Sequence, residues 1–569
     1  MNTTIGFAKN SPSRGVENTQ SPKLAHQTIV TFCLGLKSYD HHVRNLCSAP
    51  CLFCTRVAII RAQTKRKMTS TAEQLIEEFL TDYRNSGLYF GDRIARLAEL
   101  VIAGDDIAQP ASRALFTELV EPLADLFQPS AVSLYNRALT QLIQVCRNDA
   151  RAADLDRELT GFGLKSEVDL VARAERLRQS YRSVTVTDSA LSIKRIIVLS
   201  RVTIGADVAV TSVVICRMKR EFPIAEIVLV GGAKANELFR GDSRVQVKEI
   251  GYKRSGTTIE RLSAWIELLS CVRSLTAGLN RSEYLIVDPD SRLTQLGLLP
   301  LEPPLSKSPD NHIGKAVEPA AENYLFFPSR EYGSDTSCSL GELTSRWMDE
   351  VFGTTVRTYP SVRLGNEDIS AGRRLVSRIR RGSRPVIAIN FGVGGNSRKR
   401  VSDDFEAELV TRLIQEGASI ILDKGSGEDE ERRAHAIAAL ATQFEIEGRR
   451  IRAVHFDEHK LNRGTDEDKQ SEILVWNGRV GILAALIGES DLYIGYDSAG
   501  QHIAAALGVK CIDVFAGFSS QCFVDRWRPD GRAETRVITV DKTETAELVE
   551  QVLASVSEML NWNTDLTSD

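Results

Sequence analysis

The spacing of apolar residues changes once along the chain, and the change divides it. Over 71–182, apolar residues recur every three or four positions. Leu75, Ile76, Phe79, Leu80 and Tyr83 form one stripe, and Ile94, Leu97, Ala98 and Val101 form a second, closed by Gly104. Leu115, Leu119, Leu123, Leu126 and Phe127 form a third, and Leu134, Leu139, Leu142, Ile143 and Cys146 a fourth. Ser166 is placed to cap a last helix carrying Val168, Leu170, Val171 and Leu177. Such spacing predicts amphipathic helices that each bury one face. An all-helical domain is expected over 68–185. It shows no catalytic constellation, and its default role is to brace the next domain or bind a partner.

From Lys194 short apolar runs alternate with helical periods. RIIVLS (195–200), EIVLVGG (226–232), VQVKEIGY (245–252) and YLIVDPD (284–290) read as strands, with NYLFF (323–327) as the next. Helices are expected at 208–221 and 258–278, and the polar 301–322 reads as a long loop. The arginine-rich 355–384 reads as a connection. The pattern then repeats. PVIAINFGVGG (385–395) reads as strand then glycine loop, ASIILDKGSGEDE (418–430) as strand, glycine loop and helix start, and IRAVHF (451–456), DLYIG (491–495), KCIDVFAG (510–517) and VITVD (537–541) are further strand candidates. Helices are expected at 402–416, 480–487 and 543–560. Strands alternating with helices indicate parallel sheets covered on both faces. Two Rossmann-like α/β domains are expected, at 190–355 and 385–560, with a cleft between the carboxyl ends of their strands, where open sheets bind ligands.

Composition agrees with a soluble globular chain: 569 residues, 43% hydrophobic and 26% charged. Charge is uneven. Of 71 Lys/Arg and 75 Asp/Glu, ten and two fall in 1–67, leaving 61 and 73 in the rest, net −12. An acidic body is not the footprint of a nucleic-acid binder. The basic leader, 1–67, has no clear period. Cys47, Cys51 and Cys54 have the spacing of an iron–sulfur motif, but no barrel is built around them. The leader is acid-poor like a transit peptide yet weakly amphipathic. Ser70 and Glu73 form a capping box just after Met68, so the preferred reading makes Met68 the natural start and the leader disordered or non-native. The remaining six cysteines are scattered through apolar or helical stretches, which fits a reducing, cytoplasmic setting.

The richest stretch is DLYIGYDSAGQHIAAALGV (491–509). It reads as strand, loop and helix. Asp497 and Ser498 are placed to cap the helix. The helix start offers free N–H groups and a positive dipole end to a diphosphate. Gly500 would allow close backbone approach, and His502 lies one turn in.

Several blocks, in order, resemble the inverting glycosyltransferases of family 9, which include the ADP-heptose:lipopolysaccharide heptosyltransferases. They are RIIVLSRVTIGADVAVTSVV, EFPIAEIVLVGG, YLIVDPDSRLTQLGLLP, INFGVGGNSRKRVSDDFEAEL, ILDKGSGEDEERRA and GILAALIGESDLYIGYDSAGQHIAAALGV. The resemblance covers roughly 194–560 and leaves the helical domain outside. Three departures stand out: Ala206 separates Gly205 from Asp207, Gly500 is displaced by one from the family's glycine, and Val401 follows Arg400 where Trp and Pro are usual.

The resemblance implies a GT-B type fold and an inverting sugar transfer. The donor would be a nucleotide-diphosphate sugar, with ADP-heptose as one candidate. The acceptor would be lipopolysaccharide core or another cell-surface glycan or glycolipid, met in the cytoplasm or at the inner membrane face. No cofactor or metal is expected. Transfer needs a base for the acceptor hydroxyl and stabilisation of the leaving diphosphate. Asp207 is the candidate base, with a helix N-cap as its alternative role. Lys399, Arg400, Glu428, Asp497, Ser498, Gly500 and His502 are the candidate donor-binding residues. Glu428 would accept from ribose or base, or else serve as a first-turn helix acid. Two other functions compete. Asp288-Pro289-Asp290 follows a strand, as the metal-binding DxD of another sugar-nucleotide fold does. A non-catalytic relative that only binds a sugar nucleotide is the other. A dehydrogenase is disfavoured, since GVGGNS lacks the last glycine of its fingerprint. His455 and His459 lack further zinc ligands.

A chain that begins at Met68 is expected to stay soluble and keep any activity of the full sequence. Expression of the two forms side by side, with a thermal melt of each, tests this; loss of soluble protein on truncation refutes it.

Overall fold

The computed structural model describes residues 71–180, 193–302, 323–446, 448–461, 471–541 and 544–562. The leader with its cysteines, Ser70 of the capping box and most of the polar 301–322 stretch lie outside the described residues.

The helical region opens with α1 over 71–86, then α2 (Gly91–Val101) and α3 (Asp105–Ala114). A π-helical stretch, Leu115–Val120, leads into α4 (Glu121–Ala124). α5 (Pro129–Cys146), α6 (Ala153–Gly161) and α7 (Glu167–Ser180) follow. The stripes bury as their spacing requires: Ile94, Leu97, Ala98 and Val101 are all inside. Ser166 and Asp169 bond reciprocally at the start of α7. Two positions depart. The third stripe stops at Ala124; Leu126 is exposed and Phe127, at φ 52°, turns inward outside any helix. Val168 is 74% exposed, because α7 instead buries Leu170, Ala174 and Leu177. α6 escapes sequence reading because only Leu155 and Leu159 mark it.

The first sheet holds β1 (Arg195–Leu199), β2 (Glu226–Gly231), β3 (Val245–Glu249), β4 (Tyr284–Asp288) and β5 (Tyr324–Phe326). All pairings are parallel, in the order β3-β2-β1-β4-β5. α8 (Ser212–Glu221) follows β1, α9 (Ala233–Phe239) follows β2, and α10 (Thr258–Thr276) follows β3. α11 (Leu340–Phe352) follows β5 and is capped by Ser339 and Glu342. Alternate residues of β1 face opposite layers. Ile196 and Val198 join the cluster of α8, α9 and α11, while Ile197 and Leu199 join the helical region and α10. The helical region therefore forms part of the cover of this sheet. Ser112 of α3 accepts the buried Thr258 N–H of α10 at 2.8 Å.

The second sheet is preceded by α12 (Asn366–Ile379), inside the stretch that sequence reading makes a connection. Its buried face is Ala371, Leu375, Val376 and Ile379; arginines on the other face obscure that period. β6 (Val386–Asn390), α13 (Asp403–Gln415), β7 (Ser419–Asp423) and α14 (Glu428–Ala441) come next. A two-residue hairpin, β8 (Glu445–Ile446) with β9 (Arg449–Arg450), precedes β10 (Ala453–Asp457). β11 (Ile473–Asn477), unread in the sequence, leads to α15 (Val480–Gly488). β12 (Leu492–Tyr496), α16 (Ala499–Leu507), β13 (Lys510–Ala516), α17 (Gln521–Trp527), β14 (Thr535–Val540) and α18 (Thr545–Leu560) complete it. The seven-stranded order is β10-β11-β7-β6-β12-β13-β14, all parallel. Two Rossmann-like sheets preceded by helices are thus the architecture expected from the sequence.

The two α/β domains share one apolar cluster. Arg526 of α17 is buried and donates to the carbonyls of Thr336 (2.9 Å) and Cys338 (2.7 Å) beside the first sheet. Asp368 of α12 is fully buried between Arg240, which follows α9, and Arg479, which precedes α15 (2.6 Å). Removing one member of such a group strands the others in a dry interior. Asp368→Ala should therefore cost about 3–5 kcal/mol. Urea unfolding measures it; a loss below about 1 kcal/mol would mean that the two arginines are effectively solvated.

Candidate functional site between the sheets

In each sheet one pair of neighbouring strands sends its connections to opposite sides. These pairs are β1/β4 and β6/β12. Ligands of open parallel sheets settle at the carboxyl ends of such pairs. The chain places its candidates there: loop 200–207 after β1, loop 288–295 after β4, loop 391–399 after β6 and turn 497–502 after β12. The two sides meet directly. A Cβ on Gly205 would lie 3.2 Å from His502 Cδ2 and 3.4 Å from Ala499 Cα.

Asp207 is 4% exposed and begins a π-helical stretch, Asp207–Thr211, after the short turn Ile204–Ala206. Its helical backbone makes it a member of the helix; Thr203 holds the N-cap position of the turn. Its carboxylate accepts from Ser200 Oγ (2.6 Å), the Arg201 N–H (2.7 Å) and Thr211 Oγ1 (2.9 Å), tying strand end to helix start. Burial raises its pKa, and these donors oppose the rise. Arg201 is buried beside it and donates to Ser329 Oγ at 2.6 Å. Burial, with Arg330 nearby, brings the Arg201 pKa down to about 9.

On the second domain, Lys399 pairs with Asp497 and lies 5.4 Å from the centre of the Phe523 ring. Burial works against its charge, but Asp497, with Asp125 and Asp513 farther off, holds its pKa above the usual lysine value. Asp497 also accepts from Gln501 Nε2 at 3.1 Å. Ser498 occupies the N-cap position of α16, yet its hydroxyl makes no cap hydrogen bond to the first N–H groups of that helix. His502 is buried edge-on to Trp527, with ring centres 6.1 Å apart. Burial, with Lys399 nearby, pulls its pKa to about 3, which keeps the imidazole neutral.

Three predicted donor contacts sit differently from expectation. Gly500 faces inward: a Cβ there would lie 2.6 Å from Tyr493 Cζ, so the glycine makes room for a ring. Arg400 is held by Glu406 (2.8 Å) and Asp403 (2.5 Å) against the start of α13. Glu428 is exposed, and Glu430, two residues on, accepts from the N–H groups of Val393 (2.9 Å), Gly394 (3.2 Å) and Ser426 (2.7 Å). Glu430 thereby ties two glycine-containing loops together. Position within the first turn does not distinguish these acids; burial does.

Asp288 and Asp290 point to separate partners. Asp288, fully buried, accepts from the Ser291 N–H, Thr294 Oγ1 and Tyr324 OH at 2.6–2.7 Å. Burial raises its pKa to about 6. Asp290, at φ 69°, accepts from Ser329 Oγ at 2.7 Å. Among the described residues no group of three or more His, Cys, Asp or Glu is arranged to hold a metal ion.

The helical region reaches this junction too, which stripe reading did not foresee. Arg330 donates to Asp125 Oδ1 (3.0 Å) and the Ala124 carbonyl (3.2 Å). Phe127 is buried with its ring centre 6.4 Å from that of Trp527, and the Arg330 guanidinium lies 5.2 Å from the same ring.

No protein-family model matches the chain, and no curated protein matches it either. Solved structures with a similar fold include a glycosyl transferase of family 9 from Veillonella parvula, 13% identical at a TM-score of 0.45, spanning 66% of this chain and 99% of that one. ADP-heptose lipopolysaccharide heptosyltransferase II of E. coli is 16% identical at 0.39, over 64% and 99%. UGT71G1 of Medicago truncatula, solved with UDP-glucose, is 11% identical at 0.33, over 66% and 91%.

Gly500→Ala should destabilise the protein by about 1–3 kcal/mol through overpacking against Tyr493. Combining it with Tyr493→Leu, which removes the ring, should recover part of the loss. Chemical denaturation of the three variants decides; full additivity of the two losses would show that glycine and ring are independent.

Proposed function

We propose that the chain is a glycosyltransferase. It takes a sugar from a nucleotide-diphosphate donor on the second α/β domain and passes it, with inversion, to a hydroxyl of an acceptor on the first. The observation that carries this reading is the meeting of the turn that leads into Asp207, after β1, with the start of α16, after β12, where Lys399 of the loop after β6 pairs with Asp497. One side offers a carboxylate for an acceptor proton. The other offers N–H groups and a cation for a leaving diphosphate. A groove of about 1040 Å³ between the helical region (Pro129, Glu175, Arg178) and the 328–350 segment is a candidate path for an acceptor, although none of the candidate catalytic or donor residues lines it. The finer reading, ADP-heptose as donor and a lipopolysaccharide-core or related glycolipid as acceptor at the inner membrane face, rests on the sequence blocks. No described helix is long and apolar enough to cross a membrane.

In this mechanism the acceptor oxygen attacks the anomeric carbon as its proton passes to an Asp207 carboxylate oxygen. The bond from that carbon to the diphosphate breaks, and Lys399 with the α16 N–H groups receives the charge. Lys399 must leave Asp497 to do so. A second reading has its own support. Three hydrogen bonds already engage the Asp207 carboxylate, as would suit a sugar-nucleotide binder without catalysis.

Asp207→Asn should lower turnover by about 10²–10⁴-fold and leave donor affinity nearly unchanged. Lys399→Ala should weaken donor binding by about 10–100-fold, the worth of a charge-assisted contact. Initial rates and calorimetric donor binding separate the two. Donor binding lost in Asp207→Asn and kept in Lys399→Ala would reverse the assignment of domains. Donor binding without donor hydrolysis or transfer to any tested glycan would favour the binder.

A further inference from the structure

Among the described residues two side chains donate to the buried Asp497 carboxylate, one to each oxygen. Lys399, on the loop after β6, donates from Nζ to Oδ2. Gln501, the third residue of α16, donates from Nε2 to Oδ1 at 3.1 Å and is itself fully buried.

The Gln501 amide is oriented by more than Asp497. The same Nε2 donates to the Trp527 carbonyl at 3.2 Å and lies 3.4 Å from His502 Nε2. Its Oε1 is buried without a partner among the described residues. Turning the amide over would set that oxygen against a carboxylate and a carbonyl, so the NH₂ group must face both. The Trp527 carbonyl is held in turn. Trp527 ends α17 between Arg526, anchored on the Thr336 and Cys338 carbonyls, and Arg528, which donates to Glu342 Oε2 at 2.8 Å. These acceptors belong to the first α/β domain, so that domain fixes the post on which the Gln501 amide rests.

The proposed donor chemistry asks Lys399 to leave Asp497 for a diphosphate. Asp497 is 7% exposed, and a carboxylate stripped of its donors there would be costly. Gln501 is the donor that stays. Its amide carries no charge for a phosphate to draw away, and its second N–H is engaged at Trp527.

We propose that Gln501 is a positioning residue for diphosphate binding: it keeps a hydrogen bond on Asp497 when Lys399 turns to the phosphates, and so lowers the cost of that turn. The inference rests on the reading of the 497–502 turn as the donor site. Gln501 acts through Asp497 and touches no ligand.

A role through Asp497 differs from a role in packing, and a double-mutant cycle tells them apart. The probes are inorganic pyrophosphate and ADP-glucose, with affinities read by calorimetry and a thermal melt of each variant. Gln501→Met keeps the length of the side chain and removes both N–H donors. It should bind each probe about tenfold more weakly than the wild type, the worth of one hydrogen bond to a charged group. Asp497→Asn takes away the charge that Lys399 must leave. In that background Gln501→Met should change affinity by less than about twofold. Gln501→Asn, whose shorter amide cannot span both acceptors, should show the same pattern and replaces a Met variant that does not fold. An equal loss with and without the Asp497 charge, as packing would give, or no loss in either Gln501 variant, overturns the proposal while leaving the donor site intact. If the wild type binds neither probe, the donor-site reading fails, and this inference with it.

Discussion

A parallel sheet ends in a row of loops whose N–H groups no strand can accept, and here buried carboxylates accept many of them. Asp207 takes the Arg201 N–H after β1, Asp288 takes that of Ser291 after β4, and Glu430 takes three from the loops after β6 and β7. Each carboxylate fixes the path of a loop that carries candidate chemistry. A charged acceptor gives stronger hydrogen bonds than a neutral one, which offsets part of the cost of burying it. The carboxyl edges of both sheets are held by this single device, and the candidate site lies between those edges. Asp513 is an acid in the same sheet without such a task.

Most of the strands were legible because a strand covered on both faces is a short unbroken apolar run. RIIVL and LYIGY are of this kind. ILVWN has the same character, and a polar stretch before it hid its role as the fourth, in chain order, of the seven strands of the second sheet. α12 was hidden differently: three of its fourteen residues are arginines, and their charge drowned a buried stripe that keeps regular spacing. Local pattern records which residues are apolar, not which neighbour will cover them.

The candidate site was legible as a place more than as a set of contacts. The turn at 497–502 and the loop at 207 do meet. Yet the partner of each side chain depends on packing that spacing does not encode. Gly500 makes room for Tyr493 from its own domain. Arg400 turns back to Glu406, and the acid that ties the glycine loops is Glu430, since the helix rotates it inward while Glu428 faces water. Arg201, Arg330 and Phe127 had no motif to announce them. The only sequence signal for Phe127 was its place at the end of the third apolar stripe, which predicted burial and not a contact at the site.

Phe127 also bears on how the protein can move. Its ring is seated between Arg330, on the first α/β domain, and Trp527, on the second, while its own backbone belongs to the helical region. Domain closure in two-lobed folds is commonly pictured as two rigid bodies turning about a hinge. Here a third body is wedged at the point where the lobes touch. Any opening must either unseat an aromatic ring from a cation and an indole, or carry the helical layer along with one lobe and slide it past the other. The chain is mechanically closer to a three-part joint than to a pair of jaws, and the layer that carries no candidate chemistry sets how far the other two can part.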